Sequence, residues 1–190
     1  MEIDHSLREV QEVLSALNLK EVQTVVDLLY DAYLQNRYVF VIGNGGSAAN
    51  ASHFAQDLVR GTLNNPLETK RLRALSLTDN IAYITALAND EGYETVFEQQ
   101  LMTLANPDDI LIAISGSGNS ENIIRAVRFA KTKGMTTVGI CGFDGGRLKQ
   151  LADRSVHVPI NDMFLSESIH AIIFHLVITA IRGKIRDHAN

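Results

Sequence analysis

Short apolar runs alternate with longer amphipathic stretches along this chain, and that alternation limits the possible folds more than any other feature. The runs cover residues 38–42, 73–77, 109–114, 136–141 and 155–159. Runs in which nearly every side chain is apolar are typical of strands that are covered on both faces. Strands that alternate with helices predict a parallel sheet with a layer of helices on each side.

The stretches between these runs have the apolar period of helices. Up to about residue 36 we expect one or two amphipathic helices, because apolar residues recur at Leu14, Leu17, Val22, Val25, Leu28 and Leu29. Further helices are expected over about 47–60, 78–88, 93–105, 119–133, 145–152 and 165–186, with Thr78-Asp79 and Asn119 or Ser120 as N-caps. The 190 residues suit one domain. We therefore expect residues 1–190 to form a single α/β domain, a three-layer sandwich around a five-stranded parallel sheet, with residues 1–36 as an N-terminal helical segment.

Composition excludes several functional classes. The formal net charge of −5 offers no basic surface to nucleic acid or to an anionic membrane. The single cysteine, Cys141, cannot form an internal disulfide, and its apolar surroundings predict a buried strand residue rather than a nucleophile. The first residues lack the basic and apolar regions of a signal peptide, and no apolar run approaches the ~20 residues of a membrane helix. We expect a cytoplasmic protein without nucleic-acid or membrane partners.

Two loops rich in glycine and serine follow expected strands, at the edge of a parallel sheet where ligands bind. The first, Gly-Asn-Gly-Gly-Ser over residues 43–47, lets a ligand approach the backbone at a helix start. With Ala48 it also fits the dinucleotide pattern G-x-G-x-x-A, with Asp79 as a possible ribose-binding acid. A plain tight turn is the third interpretation of this loop.

The second loop reads Ser-Gly-Ser-Gly-Asn-Ser over residues 115–120. Its three hydroxyls, one amide and free backbone N–H groups suit a phosphate monoester without Lys or Arg. The alternative is a flexible turn that ends in an N-cap serine. A dinucleotide fold needs one glycine loop and leaves the second unexplained, so two such loops favour a phosphorylated ligand.

Candidate acid–base and metal-binding residues lie on two expected helices. His53 and Asp57 are four residues apart and share a face, and Glu167, His170 and His175 lie on the last helix. Carboxylate and imidazole groups could move protons between adjacent sugar carbons through an enediol, as aldose–ketose isomerisation requires. The same groups could bind a divalent metal such as zinc. A surface or capping pair is the plain alternative for the first two residues.

The spacing on the last helix limits which of its side chains can meet. His170 lies about 140° from His175 around an ideal helix, so we expect one of the two to be structural. Glu167 precedes His175 by about 12 Å along an ideal helix. One metal ion can take both only if the helix start bends or if one ligand comes from a neighbouring subunit.

These segments together resemble the SIS (sugar isomerase) family and, within it, the phosphoheptose isomerases. The matching segments are 43–47, 53–55, 78–80, 88–90, 115–120, 142–146 and 167–175, in family order. The resemblance implies the SIS fold, a homotetramer with active sites at subunit interfaces, and residues 1–36 in oligomer packing. It further implies an enzyme that converts sedoheptulose 7-phosphate to D-glycero-D-manno-heptose 7-phosphate.

The resemblance also implies the roles of individual residues. The catalytic base falls on Asp57 and the catalytic acid on His175. One zinc ion per subunit is implied, with ligands His53, Asp57, Glu167 and His175. The residues implied to bind the sugar phosphate are Asn44, Gly45, Gly46, Ser47, Asp79, Asn89, Asp90, Ser115, Ser117 and Ser120.

Three positions depart from the family pattern. The family usually has Glu at position 57, Gln at 167 and Thr at 116, where this chain has Asp57, Glu167 and Gly116. The first two changes keep metal-ligand character. The alternative function is a non-catalytic SIS-family protein, either phosphosugar-binding or initiator-associating and regulatory. Retention of His53 and His175 argues against such a decayed site.

Overall fold

Five parallel strands form the centre of the molecule, in the order β2-β1-β3-β4-β5. They are β1 (Tyr38–Ile42), β2 (Arg73–Ser76), β3 (Ile110–Ser115), β4 (Thr136–Cys141) and β5 (Arg154–His157). The computed structural model describes residues 2–63, 65, 67 and 69–189. The expected five-stranded parallel sheet is confirmed.

Helices connect and flank these strands. They are α1 (Glu2–Ser15), α2 (Leu19–Gln35), α3 (Gly46–Arg60), α4 (Ile81–Asp90), α5 (Glu98–Leu104), α6 (Glu121–Lys133), α7 (Gly146–Leu151) and α8 (Met163–Ala189). A short 3₁₀ turn, Tyr93–Thr95, precedes α5. The N-terminal segment therefore forms two helices.

Alternate side chains of each strand enter opposite helical layers, as the pleat of a strand requires. In β1, Val39 and Val41 pack in one apolar cluster, whereas Phe40 and Ile42 pack in the other. Helices α2, α3 and α8 cover the first face, and α4 to α7 cover the second. The core thus lies on both sides of the sheet, which explains why the strand sequences are continuously apolar.

Strand order brings two loops together at one edge of the sheet. The chain moves from β1 outward to β2 and then returns to β3 on the other side of β1. The register pairs Ile42, the last residue of β1, with Ala113, and β3 continues from there to Ser115 at the same edge of the sheet. In sheets of this order, ligands bind where the connections diverge beyond the carboxyl ends of the strands.

Two helix boundaries differ from the expectation. Asn80 caps α4, because its side chain accepts a hydrogen bond from the Tyr83 backbone N–H; Thr78 instead donates its hydroxyl to Asp79. The single helix expected over residues 93–105 is a 3₁₀ turn followed by α5. Gly92, with a φ of 97°, separates α4 from that turn.

Helix α8 is a core helix, although its segment Met163–His188 is also long and apolar enough by composition to cross a membrane. Core helices of globular proteins meet the same criterion. Ile169 and Ile173 are buried against the sheet. The sequence contains no continuous apolar run of that length because Glu167 and His175, among others, interrupt it.

Candidate active site

A cavity of about 240 Å³ lies where β1 and β3 end. Its walls come from the loops after both strands and from the start of α8. The lining residues are Asn44, Gly45, Gly46, Ser47, Ile114, Ser115, Gly116, Ser117, Ser120, Met163 and Glu167. Seven of these residues were expected to bind the sugar phosphate, and the structure brings all seven together.

The first loop turns sharply into a helix. Gly45 has a φ of 56°, and its carbonyl accepts hydrogen bonds from the backbone N–H groups of Ala48 and Ala49. Helix α3 then begins at Gly46, and the first N–H groups of a helix have no partner within the helix. The loop therefore presents free donors and the positive end of a helix dipole to the cavity.

The second loop is held by its own backbone and by the start of α7. Gly118 has a φ of 65°, and a Cβ atom there would collide with the Gly145 carbonyl oxygen. The Asn119 amide donates to the Ser117 carbonyl at 2.9 Å, and its oxygen accepts from the Arg147 backbone N–H at 3.2 Å. Asn119 thus shapes the loop.

Ser120 stands at the N-cap position of α6, as expected, but its hydroxyl makes no capping hydrogen bond. Ser120 is partly exposed and lines the cavity. Ser120 is therefore available to a ligand, which an ordinary N-cap serine is not.

A cluster of two imidazoles and one carboxylate lies at the junction of α3 and α8. Nε2 of His53 is 3.4 Å from Oδ2 of Asp57, and Nε2 of His175 is 3.6 Å from the same oxygen. The two imidazole rings are edge to face, with centroids 5.1 Å apart. Both histidine side chains are more than half exposed, whereas the Asp57 side chain is 21% exposed. The cluster is consistent with the expectation that His53 and Asp57 share one face of α3. It is also consistent with the assignment of the metal-ligand role to His175 and not to His170.

Packing between α3 and α8 sets the geometry of this cluster. The rings of Phe54 and Phe174, the chain neighbours of His53 and His175, stack with centroids 4.4 Å apart. Nearer the cavity, the Asn50 amide donates to the Glu167 carbonyl at 3.0 Å. The two helices therefore contact each other from the cavity to the His–Asp–His cluster.

The donor set fits a metal ion. One ligand atom from each of His53, Asp57 and His175 lies within 4.8 Å of the others. Two imidazole nitrogens and a carboxylate oxygen are a ligand set that suits zinc, with a fourth position left for another ligand. Glu167 does not join this group. Its carboxylate lies against Gly46 instead, where a Cβ atom would collide with it.

His170 is structural, as the helix geometry predicted for one of the two histidines. It is fully buried, and burial lowers its pKa from 6.5 to about 4, although the nearby Cys141 backbone acts in the opposite direction. The contact with the Cys141 backbone is a weak one, because neither ring nitrogen makes a hydrogen bond of ordinary distance and angle among the described residues. The same holds for the Ser166 hydroxyl one turn earlier. His170 is therefore neutral at physiological pH. Cys141 is buried in β4, and burial raises the pKa of its thiol to about 12, which excludes a thiolate nucleophile.

Three of the residues expected to bind the substrate are not among the described residues that line this cavity. Asp79 lines a separate cavity beside the edge strand β2. Asn89 and Asp90 are exposed at the end of α4, where the Asn89 amide donates to the Asp90 carboxylate at 2.7 Å. Asp79 is therefore not among the residues that line the cavity with the glycine loop.

Sequence reasoning missed the neighbours that hold Asn44. Its amide forms two hydrogen bonds of 2.9 Å with the Asn122 amide and accepts one of 2.8 Å from the Tyr93 hydroxyl. Asn122, on the buried side of α6 just after the second loop, is a polar residue in an apolar position, which is a usable signal. Tyr93 carries none, because it lies 49 residues from Asn44 in an exposed turn.

Comparison with known proteins gives one consistent result. The SIS domain family matches residues 4–142. The chain is similar to phosphoheptose isomerase from Helicobacter pylori, with 39% identity over 176 residues that cover 93% of this chain and 86% of that protein. It is 35% identical over 187 residues to phosphoheptose isomerase from Geobacter sulfurreducens, covering 97% of each. The solved phosphoheptose isomerase from Neisseria gonorrhoeae superposes with a TM-score of 0.86 at 29% identity, over 96% of this chain and 95% of that one.

Proposed function

The chain belongs to the SIS domain family and, within it, to the phosphoheptose isomerases, and on that premise we propose that it converts sedoheptulose 7-phosphate into D-glycero-D-manno-heptose 7-phosphate. The main observation behind this proposal is that helix α3 connects the cavity with the His–Asp–His cluster. The helix begins at the serine-lined cavity and carries His53 and Asp57 on its later turns.

Binding of the phosphate group follows from the donors around the cavity. Helices α3 and α6 both begin there, and helix N-termini attract anions. The hydroxyls of Ser115, Ser117 and Ser120 add neutral donors, and the lining residues include no Lys or Arg. A dianionic phosphate can therefore be held by dipoles and hydroxyls, without an opposite formal charge.

The distance along α3 favours a substrate with a long carbon chain. His53 and Asp57 lie about 10 and 16 Å beyond Gly46 along an ideal helix. With its phosphate in the cavity, a seven-carbon sugar phosphate brings its reacting end closer to the His–Asp–His cluster than a shorter sugar phosphate does. A three-carbon phosphate cannot span that distance.

Proton transfer is assigned to Asp57 and His175. The Asp57 carboxylate removes a proton from C1 of the ketose and returns it to C2 of the enediol. His175 donates a proton to the oxygen on C2 and accepts one from the oxygen on C1, so the product is an aldose with the same atoms. Asp57 is the less exposed of the two, and its Oδ2 lies 3.4 and 3.6 Å from the two imidazoles.

Zinc is the proposed cofactor, one ion per subunit, held by His53, Asp57 and His175. A zinc ion there would take one oxygen of Asp57 and one ring nitrogen of His175, which would leave their other oxygen and nitrogen for proton transfer. It would supply a Lewis acid for the substrate carbonyl. Glu167 is the fourth ligand that the family pattern implies. Because α8 is one continuous helix and its own Glu167 carboxylate lies on Gly46, a Glu167 ligand at this cluster would come from a neighbouring subunit.

We also propose a homotetramer in the cytoplasm, built from single SIS domains over residues 1–190, with residues 1–36 in the subunit contacts. Exposed apolar residues support this assembly. Ile3, Leu7 and Leu19 are exposed on the N-terminal helices, and Phe164 and Leu176 are exposed on α8. Phe164 and Leu176 lie on either side of Glu167 and His175 in the chain, so a neighbouring subunit packed on α8 would lie close to the active site.

One experiment separates this proposal from a non-catalytic phosphosugar-binding role and from a dinucleotide enzyme. The purified protein is incubated with sedoheptulose 7-phosphate, and heptose 7-phosphate is assayed, with NAD binding measured in parallel. We expect product and no NAD binding. Tight binding of the sugar phosphate without product would favour the non-catalytic role, and NAD binding would favour the dinucleotide interpretation.

A further inference from the structure

Tyr93 lies outside the cavity but is hydrogen-bonded to one of its walls. Its side chain sits on the 3₁₀ turn before α5 and is 53% exposed. The hydroxyl donates a 2.8 Å hydrogen bond to the Asn44 side-chain oxygen. Asn44 lines the cavity, whereas Tyr93 does not. Any effect of Tyr93 on the reaction must therefore pass through Asn44.

The orientation of the Asn44 amide is determined by a chain of three contacts. The Asn122 oxygen accepts from the Ile123 backbone N–H at 2.9 Å, which fixes which end of the Asn122 amide is the oxygen. Asn122 is buried and pairs reciprocally with Asn44, so the Asn44 oxygen must face the Asn122 nitrogen. Tyr93 then meets an oxygen and must donate to it.

This arrangement leaves Asn44 with one unused group. Its oxygen accepts from both Asn122 and Tyr93, and one of its two N–H groups donates to Asn122. The remaining N–H is the only side-chain donor that Asn44 can offer to the cavity. Without the Tyr93 hydroxyl, the Asn44 amide would be held by Asn122 alone and would lose its one hydrogen bond on the exposed side.

We propose that Tyr93 is a positioning residue, which holds the Asn44 amide so that its remaining N–H points at the bound sugar phosphate. The inference rests on the proposed isomerase function. It assigns a role to the turn after α4, the helix that ends with Asn89 and Asp90. Tyr93 acts by restraining the amide and does not touch the substrate.

A double-mutant cycle tests this proposal. Tyr93→Phe removes only the hydroxyl, and loss of one hydrogen bond of ordinary strength predicts a fall in kcat/KM for sedoheptulose 7-phosphate of roughly 2- to 10-fold. In the Asn44→Ala background the same change should alter kcat/KM by less than about 2-fold, because the partner is already absent. Tyr83→Phe is the matched control, since the Tyr83 hydroxyl makes no hydrogen bond within the described part of the chain.

The outcomes separate positioning from a general structural role. A Tyr93→Phe variant with wild-type kcat/KM, or with equal losses in both backgrounds, overturns the proposal. A fall in thermal stability in place of a kinetic effect also overturns it. If the wild-type protein does not isomerise sedoheptulose 7-phosphate, the proposed function is wrong, but the role of Tyr93 is still testable by binding. The cycle is then measured as sedoheptulose 7-phosphate affinity by calorimetry, with the same pattern expected.

Discussion

Replacing His170 by leucine should make the protein less sensitive to acid without destabilising it near neutral pH. The imidazole is fully buried on α8, and neither nitrogen has a hydrogen-bond partner among the described residues. Leucine has a similar volume and no polar atom. Exchanging a buried, unpaired polar group for an apolar one of similar shape is nearly neutral or stabilising.

The magnitude follows from linkage between protonation and folding. The pKa of His170 is lowered from 6.5 to about 4 in the folded protein, so the unfolded chain binds a proton more readily between those values. The free energy of unfolding therefore rises with pH through this window. The part linked to His170 is fully present above about pH 6.5 and is lost as the pH falls toward 4. The full effect is about 3 kcal/mol, and about 2 kcal/mol of it is lost by about pH 5.

Urea unfolding of chelator-treated protein near pH 7.5 and pH 5, at one fixed protein concentration, measures this difference. Wild-type protein should lose about 2 kcal/mol more than His170→Leu between the two pH values. His5→Leu, the same exchange at an exposed site on α1, should behave as wild type. The two carboxylates whose pKa is lowered, Asp27 and Asp153, do not contribute to the stability difference between pH 7.5 and pH 5. The hydrogen bond from Lys184 lowers the pKa of Asp27. Desolvation by burial raises the pKa of Asp153, but hydrogen bonds from Lys131 and Thr137 outweigh it and lower that pKa, so the stability that both carboxylates contribute is lost only below pH 3.8.

Two results would refute this reasoning. If His170→Leu lost as much stability as wild type on acidification, the imidazole would not be held neutral by burial. If His170→Leu were destabilised by more than about 2 kcal/mol near pH 7.5, the ring would have a hydrogen-bonding partner, such as a bound water, that stabilises the native state.

Three further predictions concern the cavity and the metal site. Ser117→Ala combined with Ser120→Ala should raise KM more than it lowers kcat in steady-state kinetics, because phosphate contacts persist from ground state to transition state; an unchanged KM would remove this loop from the substrate site. Elemental analysis should find roughly one zinc per chain, lost on His53→Ala; a metal-free protein that is fully active in chelator would contradict the metal assignment. Gly118→Ala should lower the stability by at least about 1 kcal/mol in thermal unfolding, because its φ and a neighbouring carbonyl exclude a Cβ atom. Gly183→Ala, where a Cβ atom meets nothing within 4 Å, should be neutral or stabilising, and equal losses at the two glycines would contradict this argument.

Local features of this site were predictable from the sequence. Each of the two loops rich in glycine and serine is contiguous, so its glycines and serines could be recognised without tertiary information. Continuously apolar strands implied a sheet covered on both faces, and therefore the edge at which both loops meet. The pairing of His53 with Asp57 needed only the helical period.

Features that depend on packing between distant segments were not predictable in the same way. The approach of His175 to Asp57 depends on the Phe54–Phe174 stack between α3 and α8. The contact between the Glu167 carboxylate and Gly46 depends on the same packing, so that side chain faces the cavity and not the His–Asp–His cluster. The link from Tyr93 to Asn44 joins two loops whose sequences show no relation.

The most direct test of the central claim is a rate comparison between wild-type protein and Asp57→Asn. Formation of heptose 7-phosphate from sedoheptulose 7-phosphate is followed by NMR, with Asp31→Asn, an exposed aspartate on α2, as the control. We predict isomerisation by wild type and by the control, and a kcat at least about 10²-fold lower for Asp57→Asn, the low end for loss of a general base. A wild-type protein that forms no product, or an Asp57→Asn variant with full activity, would contradict the account.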